Sequence, residues 1–148
     1  ALAIAELIFD NGETGNLTAL DISCNNIGDQ NMAFIVEALK SNGTLTSLSC
    51  GGNDMSPFGT LSFLAQTLGG RNALEHLSLR HEKLGDDGVF IFAKMITTCR
   101  INSLDLSETN LGKSKPVITP FSAKELRLNK KEKTKIILNI FNCNSWQV

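Results

Sequence analysis

One spacing recurs along this chain and restricts what it can fold into. In LEHLSLRHEKLGDDG, Leu74, Leu77, Leu79 and Leu84 stand at L-x-x-L-x-L…L. That spacing is neither helical nor a plain alternation. Leu77 and Leu79 are two apart and share one face of a short strand, with Leu74 and Leu84 turning inward on either side. Gly85-Asp86-Asp87-Gly88 then breaks the chain and offers an aspartate as a helix cap. The same pattern is found at Leu17, Leu20, Ile22, Asn25 and Ile27, and at Leu45, Leu48, Cys50, Asn53 and Met55. Its third copy runs through Leu74, Leu77, Leu79, Glu82 and Leu84, its fourth through Ile101, Leu104, Leu106, Thr109 and Leu111. The copies start 28, 29 and 27 residues apart. A period of that size marks a stack of short structural units.

Helices fill the intervals. Met32, Ile35, Val36 and Leu39 follow Gly28-Asp29 at helical spacing. Ser56-Pro57 reads as a cap with proline at the first helical position. Leu61, Leu64, Ala65 and Leu68 then repeat the spacing, and Gly69-Gly70 stops it. Val89, Phe92, Ala93 and Ile96 form a third such face. Each unit is therefore strand, turn, helix, and one unit alone cannot cover its apolar face. The expected fold is an α/β leucine-rich repeat solenoid of about four units, with a parallel concave sheet, convex helices and an irregular C-terminal cap. The Asn slot at Asn25 and Asn53 supplies an amide for backbone groups leaving the strand. Glu82 and Thr109 depart from it, so a less regular ladder is expected in the second half.

Three segments follow: 1–16 as an N-terminal helix or partial unit, 17–112 as the repeats, and 113–148 as a basic cap or irregular last repeat. Leu2, Ile4, Leu7 and Ile8 suit the helix of an earlier unit whose strand is missing. An opening Ala rather than Met fits a chain cut from a longer frame. Glu6 and the lack of a preceding basic segment make the start a poor signal peptide. Residues 1–112 carry six basic and thirteen acidic residues, whereas Lys113–Lys135 carries eight basic and two acidic. The basic stretch reads first as a solvated capping helix opened by the Ser122-x-x-Glu125 box. Contact with an anionic membrane or nucleic acid is its sharper alternative. Beyond it, Leu138, Phe141, Cys143, Trp146 and Val148 fit the unit spacing once more, with Phe141 opposite Leu104. A long terminal helix through Phe141 competes with that strand. Cys24, Cys50, Cys99 and Cys143 form no C-x-x-C pair and are expected to be free thiols of a reducing compartment.

Residues between the inward positions face away from the helices. They form the columns Ala19/Ser47/His76/Ser103 and Asp21/Ser49/Ser78/Asp105. Ser23/Gly51/Arg80/Ser107 and Cys24/Gly52/His81/Glu108 continue them. Small polar residues dominate. The bulky exception is His76, Arg80 and His81 beside Asp105 and Glu108. With strands about 4.8 Å apart, Arg80 reaches Asp105 or Glu108. The plainer meaning is a solvated cross-strand ion pair, and the functional one is a contact patch for a partner. His76 and His81 fall on different columns with no third ligand, so no metal site is expected. Gly51-Gly52 lacks the residues of a phosphate loop. The Ser and Asp columns follow from the repeat and form no catalytic triad.

The period with a full helix and the stretch Leu84–Gly88, echoed at Ile27-Gly28-Asp29, resemble the ribonuclease-inhibitor-like class of leucine-rich repeats over about Leu17–Gly112. That resemblance implies a non-enzymatic protein-binding scaffold that acts through its concave face on another protein. No cofactor, metal or small-molecule substrate is implied. The candidate contact residues are Asp21, Ser49, His76, Ser78, Arg80, His81, Asp105 and Glu108. Members of the class include inhibitors, GTPase regulators, innate immune sensors and secreted bacterial effectors. The resemblance thus implies a cytoplasmic setting, reached from inside or by secretion into a host cytosol. The alternative is a regulator of an enzyme, such as a GTPase-activating or innate-immune sensor module. An arginine on an accessible loop, such as Arg71 or Arg100, would serve phosphoryl transfer there.

Overall fold

A computed structural model describes residues 1–12, 15–68, 73–85, 101–109 and 137–139. In chain order these form α1 (Leu2–Asp10), β1 (Ala19–Asp21), α2 (Gly28–Leu39), β2 (Ser47–Ser49), α3 (Thr60–Leu68), β3 (His76–Ser78), β4 (Ser103–Asp105) and β5 (Ile137–Asn139). The strands make one sheet in sequence order, every neighbouring pair parallel. The fold is α/β. Parallel pairing needs a crossover, and α2 and α3 supply it between β1 and β2 and between β2 and β3. The third crossover, with Val89–Ile96, lies outside the described residues.

Register follows the repeat. Leu20, Leu48, Leu77, Leu104 and Leu138 stand side by side across the sheet. Leu48, Leu77 and Leu104 are buried to within 2% of full occlusion, while their strand neighbours are half-buried or exposed. The alternation puts one apolar row under the helices and one polar row on the opposite face. Leu45, Leu74 and Ile101 close the core at one end of the strands, and Met55 and Leu84 at the other. Met32, Ile35, Val36 and Leu39 of α2 and Leu64 and Leu68 of α3 enter it from above. α1 packs on α2 and contributes Ile8. Cys50 takes an apolar position in this core, as its slot predicts, and burial raises its thiol pKa above the ordinary range. Cys24 and Cys50 are free thiols, and Cys99 and Cys143 lie outside the described residues.

Three sequence expectations need correction. α3 starts at Thr60, not at Pro57. Ser56 caps a turn instead: its Oγ accepts the Gly59 N–H at 3.1 Å. The fifth strand exists, which removes the long helix through Phe141, but Leu104 pairs with Leu138, not with Phe141. The run Ile136-Ile137-Leu138-Asn139-Ile140-Phe141 holds too many apolar residues for spacing to single out the inward one. Finally, the column Ser23/Gly51/Arg80/Ser107 is not uniformly outward, because Gly51 and Ser107 are buried. The chain turns back toward the core there. A Cβ on Gly51 would collide with the backbone of Arg80 in the next unit, so only glycine lets the two turns stack.

Candidate functional site

The polar face of the sheet is built by the same alternation that buries the leucines. Asp21, Ser49, Ser78 and Asp105 stand in one row across four strands. Asp21 and Asp105, the latter paired in turn with Asn139 of β5, share one local device. Asp21 Oδ1 accepts the Ser23 N–H at 2.9 Å, and Asp105 Oδ1 accepts the Ser107 N–H at 2.9 Å and its hydroxyl at 2.6 Å. The bond from the Ser23 backbone, then the Ser23 hydroxyl, hold the Asp21 carboxyl below its ordinary pKa. His76 lies in the neighbouring row between Ser47 and Ser103 and is exposed.

The charged cluster forms one turn further on. Arg80 donates to Glu108 Oε1 from Nε at 3.2 Å and from Nη2 at 2.5 Å. His81 Nδ1 lies 2.8 Å from Glu108 Oε2. One carboxylate of the fourth unit thus engages two side chains of the third. Its pKa is lowered, first by the Arg80 hydrogen bond. The Arg80 pKa is raised, first by its hydrogen bond to Glu108. Of the two partners predicted for Arg80, Glu108 takes the contact. Asp105 adds only charge at longer range. His76 stays apart from this cluster, and Asp21 lies at the far end of the sheet.

A feature of the backbone escaped the sequence reading. Cys24, Gly52, His81 and Glu108 occupy equivalent positions, all with positive φ (56°, 69°, 66° and 61°). The left-handed region costs an L-residue roughly 1–2 kcal/mol. Glycine meets that demand in the second unit only. Gly52 was the available signal, since one glycine in a column of equivalents marks what the others must also adopt. The Lys83–Asp54 pair at 3.1 Å, which joins units two and three, was also missed.

The slot beside this column carries the ladder. Asn53 Nδ2 donates to the carbonyls of Ile22 and Cys50 at 3.0 and 2.8 Å. Its Oδ1 accepts the N–H groups of Asn25 and Ile27 at 2.9 and 3.3 Å. Glu82, buried to 1%, accepts the corresponding N–H groups of Asn53 and Met55, one on each oxygen, at 2.6 and 3.0 Å. The longer acid therefore continues the ladder that the sequence predicted it would break. The irregularity comes at Thr109, whose hydroxyl donates to Leu106 O in its own unit at 2.6 Å.

Among the described residues no group of three His, Cys, Asp or Glu is placed to hold a metal. Arg71, Arg100 and the basic stretch 113–135 lie outside the described residues. No described helix is long and apolar enough to cross a membrane. No curated protein matches the chain. Residues 16–30, which span the first unit from before Leu17 to past Gly28, match the family model for the leucine-rich repeat. That match supports a leucine-rich repeat in this chain, a motif whose usual work is binding other proteins.

Proposed function

We propose that this chain is a protein-interaction scaffold of the ribonuclease-inhibitor-like class, a solenoid of about four repeats that holds a partner protein on its concave face. The contact surface runs from Asp21 through Ser49 and Ser78 to Asp105, with His76 beside it. Arg80, His81 and Glu108 form its specific end. The observation that carries this reading is the Arg80–Glu108–His81 cluster. Both His81 and Glu108 hold left-handed backbone that glycine would adopt without cost. Cys24 and Gly52 hold the same backbone in the first two units, so what distinguishes the third and fourth is the charged side chains carried there. The pairs are exposed, so they add little stability; their effect is to fix the direction of three polar groups toward an incoming surface.

The test places a photo-crosslinking residue at Ser78 on the sheet face and, separately, at Glu37 on α2. A partner protein is expected to crosslink from position 78 and not from 37. Arg80→Ala/His81→Ala in the same background is expected to lower the crosslinked yield about tenfold, as loss of a contact hot spot does. Equal yield from both positions, or full yield from the double variant, sinks the reading.

A further inference from the structure

Two carboxylates on the polar face of the sheet are set by the same short turn. Asp21 and Asp105 stand three strands apart in one row, with Ser49 and Ser78 between them. Each aspartate gives Oδ1 to its own chain: Asp21 accepts the Ser23 N–H, and Asp105 accepts the Ser107 N–H and hydroxyl. Those bonds fix the direction of both carboxylates. In both, Oδ2 meets no backbone donor and no cation among the described residues. The hydroxyls of Ser49 and Ser78 make no hydrogen bond among the described residues. Asp105 has a strand on either side and shows the same turn as Asp21, so the device belongs to the Asp-x-Ser step and not to position in the sheet.

The other charges near the row are matched. Arg80 is bonded to Glu108, which also engages His81. Lys83 is paired with Asp54, and Glu75, beyond the row, receives Asn102 Nδ2 at 3.4 Å. Two oriented negative groups thus flank a centre that is small and neutral.

We propose that this row binds an extended basic segment of the partner protein, laid across the strands, with one cationic side chain on Asp21 and another on Asp105. The proposal rests on the scaffold reading and states what the concave face holds. Spacing selects the segment. Neighbouring strands are about 4.8 Å apart, so three steps separate the two aspartates by about 14 Å. An extended chain returns to one side every second residue and advances about 3.3 Å per residue. Positions i and i+4 are then about 13 Å apart and face the sheet together, with i+2 between them. A helix offers no same-face pair at this span: residues seven apart lie about 10.5 Å from each other, and residues eleven apart about 16.5 Å. Lys or Arg at i and i+4 reach the open oxygens. Position i+2 lies over Ser49 and Ser78, and Arg80, two residues beyond Ser78, repels a third cation there. A small polar residue suits it. The phosphates of a nucleic acid or an anionic membrane would meet two carboxylates. A second copy placed face to face would oppose these carboxylates with its own.

Two synthetic peptides test this on the full chain. One is Gly-Lys-Ala-Ser-Ala-Lys-Gly, capped at both ends. The other is its isomer Gly-Ala-Lys-Ser-Lys-Ala-Gly, of equal composition and charge. The first is expected to bind about fivefold more tightly, read by fluorescence anisotropy of the labelled peptides. Asp21→Asn and Asp105→Asn each keep the Oδ1 acceptor, and so the turn, and remove one charge. Each is expected to weaken the first peptide about threefold with unchanged thermal unfolding. The peptide comparison on the unaltered chain decides even if a variant fails to fold. Equal affinity for the two peptides overturns the proposal, as does absence of binding by the first at millimolar concentration. Full binding by Asp21→Asn/Asp105→Asn overturns it too. So does a change from dimer to monomer on that double substitution, which would give the row to a second copy. The scaffold reading is decided separately, by crosslinking from position 78. A partner that crosslinks there equally from the Asp21→Asn/Asp105→Asn chain keeps the face and removes the basic segment.

Discussion

Glu82 is the residue at which local chemistry and repeat pattern disagree most. Its carboxylate is buried, yet it satisfies the N–H groups of Asn53 and Met55. Removing it leaves two buried donors unpaired, at about 1–3 kcal/mol each. Glu82→Ala is therefore expected to lower unfolding free energy by about 3 kcal/mol in urea titrations, and Glu82→Asn, which restores the amide of the first two units, by much less. The pH dependence has a definite sign. Burial raises the Glu82 pKa, against the lowering by its two backbone bonds. A raised folded pKa means that the native state binds the proton more tightly than the unfolded chain. The stability linked to that proton is full below the ordinary value of 4.5 and is lost as pH rises through the folded pKa. The stability of the wild type relative to Glu82→Asn should therefore fall as pH rises from 4.5. A difference that grows in favour of the wild type would contradict the assignment. His81 gives the complementary case. His81→Gly relieves left-handed strain of roughly 1–2 kcal/mol and gives up an exposed pair that stabilises little. Its melting temperature is expected to hold or rise while partner binding falls. The sequence singled out both residues as peculiar to the third unit, but not their roles. A side-chain length that lets two oxygens reach two N–H groups, and a φ near +66°, leave no trace in spacing.

At the scale of elements, the strands were legible and the turns were not. L-x-x-L-x-L fixed four strands and their register because burial on one face permits only one alignment. The same logic failed at β5, where adjacent apolar residues made two alignments equally good. It also misplaced the start of α3, because Ser-Pro opens a turn as readily as a helix. Position within the sheet then sets what each leucine contributes. Leu77 and Leu20 have the same slot, but among the described residues Leu77 has strands on both sides and Leu20 on one. Leu77→Ala is expected to cost about 2–5 kcal/mol, the range for a fully buried leucine. Leu20→Ala should cost less than half as much. Equal losses in denaturant midpoint would mean that the β1 edge is covered.

For the whole molecule, the important property is that contacts run between neighbours. α1 packs on α2 and α2 on α3, and each strand pairs with the next. Stability in such a stack is a sum of unit and junction contributions. The ladder makes the junctions interdependent, because Asn53 belongs to two of them. Its side chain bonds the first unit, and its backbone N–H is held by Glu82 of the third. Either Asn53→Ala or Glu82→Ala frees the loop at Asn53, and the second substitution then has less left to break. Residues within one hydrogen-bond network couple by about 0.5–3 kcal/mol. The double variant Asn53→Ala/Glu82→Ala is accordingly expected to lose less stability than the sum of the single losses, by at least about 0.5 kcal/mol. Asn53→Ala combined with Leu104→Ala, which shares no bond with the ladder, should be additive. Strict additivity in the first pair would show that the junctions act separately. The run of slot bonds from Asn25 to Glu82 would then be a row of local caps and not a connection along the stack.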